Sequence, residues 1–407
     1  MSGRHLLVLP YPAYGHMMPA LPVVAALVER GHRVTCFTTG EFEERVRATG
    51  ATPRRYEPPP SSAPPPENVD ADEAARSALR LLDASTAVLP SIEEGCDGVP
   101  DAVVYDTTLW LTGRLLAARW RRPSVQLSPT FVSNEHFSLA ERMQRFSGPV
   151  DPGHPALAEF ATRLGEAITG SGLREEQQAE LFHGYQEFTV AFLPQRFQIA
   201  GDTFDGRHAF VGPALTDPTE PTAPAAWQPP EGGAPVLLVS LGTTVNHDAG
   251  FFQRCVRAFA DLPWHTVLAL GGRIDLADLG PLPPNVEAHR WVPLGAVLRH
   301  ASVFLCQSGM GSIMAALAAG VPMVAVPHHP EQYVNAERLG ELGLAEVVQR
   351  EEATPEALRA AVARVAADDG IRDRIAAMCA EVRAAGGAHR AAEVIEDRLR
   401  SVIEEAA

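Results

Sequence analysis

Two stretches of this chain repeat one grammar: a short apolar run, a loop, an amphipathic run, and another short apolar run. The first holds "HLLVLP" (His5–Pro10), a helical stretch from about Pro19 to Arg30, "HRVTCFTT" (His32–Thr39), "DAVVYD" (Asp101–Asp106) and "PSVQLS" (Pro123–Ser128). The second restarts with "PVLLVSLG" (Pro235–Gly242), a helical stretch near Phe251–Asp261, "WHTVLALGG" (Trp264–Gly272), "VFLC" (Val303–Cys306) and "PMVAVP" (Pro322–Pro327). Strands that are apolar throughout are buried on both faces, and helices between them supply the cover, so each set reads as a parallel, doubly wound α/β sheet. Between them, "GPALTDPTEPTAPAAWQPPEGGAP" (Gly212–Pro235) is rich in proline and poor in apolar residues, as a linker is. The expected organisation is therefore two Rossmann-like domains facing across a cleft. They comprise an N-terminal domain over residues 1–212, a linker over 213–235 and a C-terminal domain over 236–387. A closing helix over 388–407 is expected to pack back on the N-terminal domain.

The chain has 407 residues, enough for two domains each with its own core. Its 34 basic against 50 acidic residues argue against nucleic acid or an anionic membrane as partner. Every basic residue is arginine. The missing lysine removes P-loop, Schiff-base and pyridoxal chemistry, each of which needs the amine. Cys36, Cys96, Cys255, Cys306 and Cys379 are scattered and form no CxxC, which fits a reduced, cytoplasmic protein. The N-terminus enters a strand without a signal peptide, and no apolar run is long enough to span a bilayer. Adjacent His328 and His329 do not converge on one ion as an i, i+4 pair does, so no metal is expected.

Two insertions interrupt the first domain. "EPPPSSAPPPENVD" (Glu57–Asp70) reads as a stiff surface loop. From Phe131 to Phe192 runs a mostly helical excursion carrying Phe131, Phe137, Phe146, Phe160, Phe182, Tyr185, Phe188 and Phe192. An aromatic stripe at helical spacing ordinarily marks core. Inserted helices need not belong to the main core, so these rings are also candidates for lining an apolar cleft.

Ligands of open α/β sheets bind beyond the carboxyl ends of the strands. In the first domain that region holds Tyr14-Gly15-His16 and the strand-end Asp106. An aspartate accepting the imidazole Nδ1–H leaves Nε2 free as a base. In the second domain, Ser240-Leu241-Gly242-Thr243-Thr244 and the turn Ser308-Gly309-Met310-Gly311-Ser312 lie at strand ends. The turn opens a helix, whose unpaired amides and dipole favour an anion. The preceding residue, Gln307, is neutral.

Together these motifs resemble the bacterial family 1 glycosyltransferases of GT-B fold, macrolide type. "GHMMP", "SLGT", "WVP", "SGMGS", "GVPMVAVP" and "EQYVNAE" stand in the expected order. "NEHFSL" (Asn134–Leu139), "FLPQRFQ" (Phe192–Gln198) and "LGPLPPNVEAHRWVP" (Leu279–Pro293) are similar to the branch that decorates antibiotics, particularly the calicheamicin-type enediyne transferases. The resemblance implies an inverting transfer of sugar from a nucleotide diphosphate to a hydroxyl of a hydrophobic aglycone. His16 would be the base and Asp106 its support. It implies a diphosphate on Ser308, Gly309, Gly311 and Ser312 with Gly242 and Thr243; Gln307, standing before that turn, is expected to serve as a neutral donor to it. A nucleotide base would lie against Trp291 and the Val292 backbone, and sugar hydroxyls on Glu331 and Gln332. Tyr14, Phe131, Asn134 and Phe137 are assigned to the acceptor. No cofactor or metal is required beyond the nucleotide sugar, and a homodimer stays open.

Three positions depart from the macrolide type: Leu294 replaces a glutamine, Gln307 a histidine and Ala315 a ribose-binding glutamate. Without a carboxylate at 315 a ribose 2′-hydroxyl loses its advantage, which favours a thymidine diphosphate deoxysugar over a uridine donor. The alternatives are a uridine-diphosphate-glucose transferase that inactivates macrolides, a non-catalytic homologue that activates a partner, and a nucleotide-sugar epimerase.

Overall fold

A computed structural model describes residues 3–57, 69–181, 188–215, 227–242 and 248–406. Thr243, Thr244, Phe182, Tyr185, residues 58–68 of the proline-rich loop and residues 216–226 of the linker lie outside the described residues. The first sheet contains β1 (His5–Leu9), β2 (Arg33–Thr38), β3 (Thr52–Arg55), β4 (Ala102–Asp106), β5 (Ser124–Ser128), β6 (Thr189–Ala191) and β7 (His208–Phe210). Their order is β3-β2-β1-β4-β5-β6-β7, every pairing parallel. The second sheet contains β8 (Val236–Ser240), β9 (His265–Ala269), β10 (Val286–His289), β11 (Ala301–Cys306), β12 (Met323–Ala325) and β13 (Ala345–Val347). It is also parallel, in the order β10-β9-β8-β11-β12-β13.

In both sheets the strand order reverses beside the first strand, between β1 and β4 and between β8 and β11. Helices leaving two such strands go to opposite faces, which opens a crevice at their carboxyl ends. The motif-bearing loops follow these four strands. Side-chain alternation assigns the two faces of β1: Leu6 and Val8 join one apolar cluster, Leu7 and Leu9 another.

Helix α1 (Tyr14–Glu29) begins five residues before the expected start at Pro19, so His16 lies in its first turn rather than in a loop ahead of it. Pro19 and Pro22 sit inside the helix. A proline has no N–H to return to residue i−4, so the carbonyls of Gly15 and Met18 lack their helical donors. Both residues border the cleft, where an open carbonyl is tolerable. The remaining helices that position the site are α2 (Ala71–Thr86), α3 (Trp110–Trp120), α4 (Leu139–Ser147), α5 (Leu294–Leu298), α6 (Met310–Ala319), α7 (Pro330–Glu341) and α8 (Gly387–Ala406). The last of these returns to the first domain, where Ala391, Ala392, Ile395 and Leu399 are buried with residues of α1. Among the described residues no helix is long and apolar enough to cross a membrane.

The core of the second domain does not stop at its own boundary. Phe131, Val132, Phe137, Leu193, Phe197 and Phe204 from the first half belong to the same apolar cluster as Phe251, Phe304 and Leu339. Phe131 stacks on Phe197, with ring centroids 5.7 Å apart, and meets Phe137 edge-on at 6.0 Å. Helix α4 lies on α7, where Phe146 stacks on Tyr333 at 5.0 Å.

Candidate active site

The base site is built at the first reversal point. Leu9 at the end of β1 is in register with Tyr105 of β4, so the loop after β1 and the end of β4 are neighbours. His16 Nδ1 lies 2.9 Å from Asp106 Oδ2. The other carboxylate oxygen of Asp106 accepts from the Thr108 amide at 2.8 Å, which fixes its rotation. Asp106 is 3% exposed at its side chain and His16 27%, so the aspartate is held in protein while the imidazole reaches solvent. With Nδ1–H given to the carboxylate, Nε2 carries the lone pair. Burial opposes charging of the imidazole; Asp106, by its charge and its hydrogen bond, and Glu331 at longer range outweigh it and raise the pKa.

The second domain supplies the facing wall. Helix α6 starts at Met310 with Gly309 as N-cap, so no side chain caps its first-turn amides. Such amides, with the dipole behind them, are an anion site when a ligand approaches. Gly311 and Ser312 from this turn, with Gly242 after β8, line a cleft of about 500 Å³ between the domains. Gln307 and Ser308 lie beneath that surface. Gln307 is 5% exposed and its Nε2 stands 2.7 Å from where a Cβ would project from Gly242, whose φ is +69°. The positive φ favours glycine there. Ser308 adopts φ +64°, a strained value for a non-glycine residue, and Asn335 Nδ2 donates to its carbonyl at 2.9 Å. Among the described residues, Gln307 Oε1 and Ser308 Oγ are buried without a protein partner.

Trp291 is 52% exposed and its ring lies 5.5 Å from that of Tyr14, across the cleft. Tyr14 also meets Phe42 and lies under the Arg45 guanidinium. It thus lines the same part of the cleft as Trp291, Val292, Leu294 and Ala315. Glu331, at the start of α7, accepts from Thr130 Oγ1 at 2.8 Å, a bond from one domain to the other. Gln332 is buried and its side chain accepts from the His328 amide at 2.9 Å, bracing the loop before α7.

The acceptor assignments within the insertion need correction. Phe131 and Phe137 are 3% and 6% exposed and packed into the shared core, so neither has surface to offer a ligand. Asn134 is spent on structure: its amide donates to Thr203 Oγ1 and its oxygen accepts from the His136 and Phe137 amides. Two residues that the sequence reading missed stand closer to the chemistry. Thr130 holds Glu331, and Tyr11 lies edge-on to His16 at 5.2 Å. No motif marks either of them.

The first reversal point carries a histidine–aspartate pair and the second an uncapped helix start, on the two parallel sheets of a GT-B fold. Residues 254–398 match the model for the Erythromycin biosynthesis protein CIII-like C-terminal domain. Over 404 residues the chain is 37% identical to the demethyllactenocin mycarosyltransferase of Streptomyces fradiae, covering 97% of this chain and 86% of that protein. It is 36% identical to the oleandomycin glycosyltransferase of Streptomyces antibioticus, over 98% of this chain and 91% of that one. The crystal structure of the calicheamicin glycosyltransferase CalG4 superposes with a TM-score of 0.85 at 41% identity, covering 98% and 99% of the two chains. The chain belongs to the family 1 glycosyltransferases of the EryCIII-like type.

Proposed function

We propose that this enzyme moves a deoxysugar from a thymidine diphosphate donor to a hydroxyl of a hydrophobic macrolide or enediyne natural product, with inversion at the anomeric carbon. The observation that carries the reading is the His16–Asp106 pair, bonded at 2.9 Å beside Tyr14 and Gly15, which line the cleft that α6 enters amino end first. Nε2 of His16 takes the proton of the acceptor hydroxyl as its oxygen attacks the anomeric carbon. The bond from that carbon to the phosphate oxygen breaks, and its electron pair leaves on the diphosphate. General-base assistance of this kind is worth about 10²–10⁴-fold. The amides of Gly311 and Ser312 and the helix dipole stabilise the departing charge, while Glu331 receives sugar hydroxyls.

The relatives' names, mycarosyl-, oleandomycin and calicheamicin transferases, support the acceptor class. The donor preference is supported by Ala315, which presents apolar surface to the cleft where the macrolide type has a ribose-binding glutamate, and by Leu294, which lines the same cleft in place of a glutamine. A polar site loses a buried partner when a hydroxyl is absent; an apolar one does not. The test is thermal unfolding with thymidine or uridine diphosphate. A ligand at a hundredfold excess over Kd stabilises by about 2.7 kcal/mol, and the thymidine nucleotide is expected to raise Tm more. An equal or larger shift with uridine diphosphate overturns the donor assignment and favours the uridine reading.

A further inference from the structure

A base works only if its lone pair is aimed, and one hydrogen bond is a hinge. The Nδ1 bond to Asp106 leaves the His16 ring free to tilt about that contact. The ring of Tyr11 lies against that imidazole: its centroid is 5.2 Å from that of His16, with the planes at 74°. This is the edge-to-face arrangement that aromatic pairs prefer. Tyr11 stands between Pro10 and Pro12. Pro12 restricts the backbone of Tyr11 to extended values, and Pro10 fixes its own φ, so the side chain leaves a stiff segment in one direction. The Ala13 amide donates to the Tyr11 carbonyl at 2.8 Å and closes the turn into α1. On its other side Tyr11 packs against the cluster of Leu9, Phe37, Tyr56 and Tyr105. Burial first, then the charge of Asp106, raise the phenol pKa, opposed by Arg80 of α2. The group beside His16 therefore stays neutral over the working range.

We propose that Tyr11 is a positioning residue for the reaction: held between two prolines against the core, its ring clamps the His16 imidazole so that Nε2 faces the acceptor hydroxyl. The proposal rests on His16 acting as the base.

Tyr11→Leu removes the ring and keeps an apolar side chain; Tyr11→Phe removes only the hydroxyl. With a thymidine diphosphate sugar and an alcohol acceptor at saturation, the leucine variant is expected to lose at least tenfold in kcat. Its donor KM should stay at the wild-type value, its Tm should fall by no more than about a few degrees, and the phenylalanine variant should recover at least half of kcat. Nitrogen-15 histidine NMR gives a second readout that needs no substrate. The Nδ1–H of His16 should be protected from solvent exchange in the wild type and in Tyr11→Phe, and unprotected in Tyr11→Leu. Wild-type kcat and protection in the leucine variant overturn the proposal, as does a phenylalanine variant as slow as the leucine one. So does a loss of kcat matched by losses in Tm and donor affinity, which would mark a purely structural role. Failure of the base reading looks different: the wild type itself shows no protected Nδ1–H, or His16→Ala turns over normally.

Discussion

Burial by itself makes His16 harder to protonate; Asp106 at 2.9 Å and the more distant Glu331 reverse that balance and lift the imidazole above its ordinary range. A general base must be neutral to accept a proton, so kcat/KM is expected to fall on the acid side of this raised value. Asp106→Asn keeps the shape and removes the charge. Burial then dominates, so the acid limb of the kcat/KM profile should move to lower pH, while the plateau drops by about tenfold or more as the imidazolium loses its counter-ion. Glu331→Gln should move the limb in the same direction by less, and also raise the donor KM. Rates between pH 5 and 9 check both. A limb that moves upward, or stays put, contradicts the electrostatic account.

Among the elements, α8 shows how the closing helix is tied to the domain where the chain began. Glu396 on α8 is buried and paired with Arg30 at 2.6 Å and His32 at 2.9 Å. The Arg30 hydrogen bond, against the cost of burial and with help from His32, holds its carboxyl down to about 2. A depressed carboxyl contributes stability that is fully present above its unfolded pKa, about 4.3, and is lost as pH falls toward its folded value. That contribution is of order 2–3 kcal/mol near neutrality. Glu396→Gln should therefore lower the urea midpoint by a constant amount from pH 8 to 5, with the difference shrinking below about pH 4.5. A difference that persists unchanged at pH 3 contradicts this linkage. Much at this scale was legible in sequence. The apolar runs that became β1, β2, β4, β5, β8, β9 and β11 are strong because both their faces are buried. The dyad was legible because His16 and Asp106 follow strands that the βα alternation places side by side. The short strands β3, β6, β7 and β13 carry too few residues to show a period. Phe131 and Phe137 were ambiguous because helical or loop aromatics do not reveal which domain they pack against. The Thr130–Glu331 bond joins residues 201 positions apart, and nothing local announces it.

Over the whole molecule, the shared apolar cluster ties the two domains together, and they are expected to unfold as one cooperative unit. Arg338 on α7 reinforces it, donating to the carbonyls of Phe197, Arg196 and Gln198 in the first half at 3.0, 2.8 and 3.3 Å. Unfolding followed by tryptophan fluorescence and by far-ultraviolet circular dichroism should give coincident transitions. Arg338→Ala should lower the stability by about 1–3 kcal/mol, as expected when two part-buried carbonyls and an exposed one lose a charged donor. Two separated transitions in the wild type contradict a continuous core. The division of labour between the halves is the central claim: the first domain activates the acceptor and the second holds the nucleotide. One variant, read in two ways, tests it most directly. In His16→Ala, transfer to an alcohol acceptor should fall by about 10²-fold or more, while calorimetry should show thymidine diphosphate binding within twofold of wild type. Full turnover by His16→Ala, or a loss of nucleotide binding equal to its loss of activity, contradicts the account.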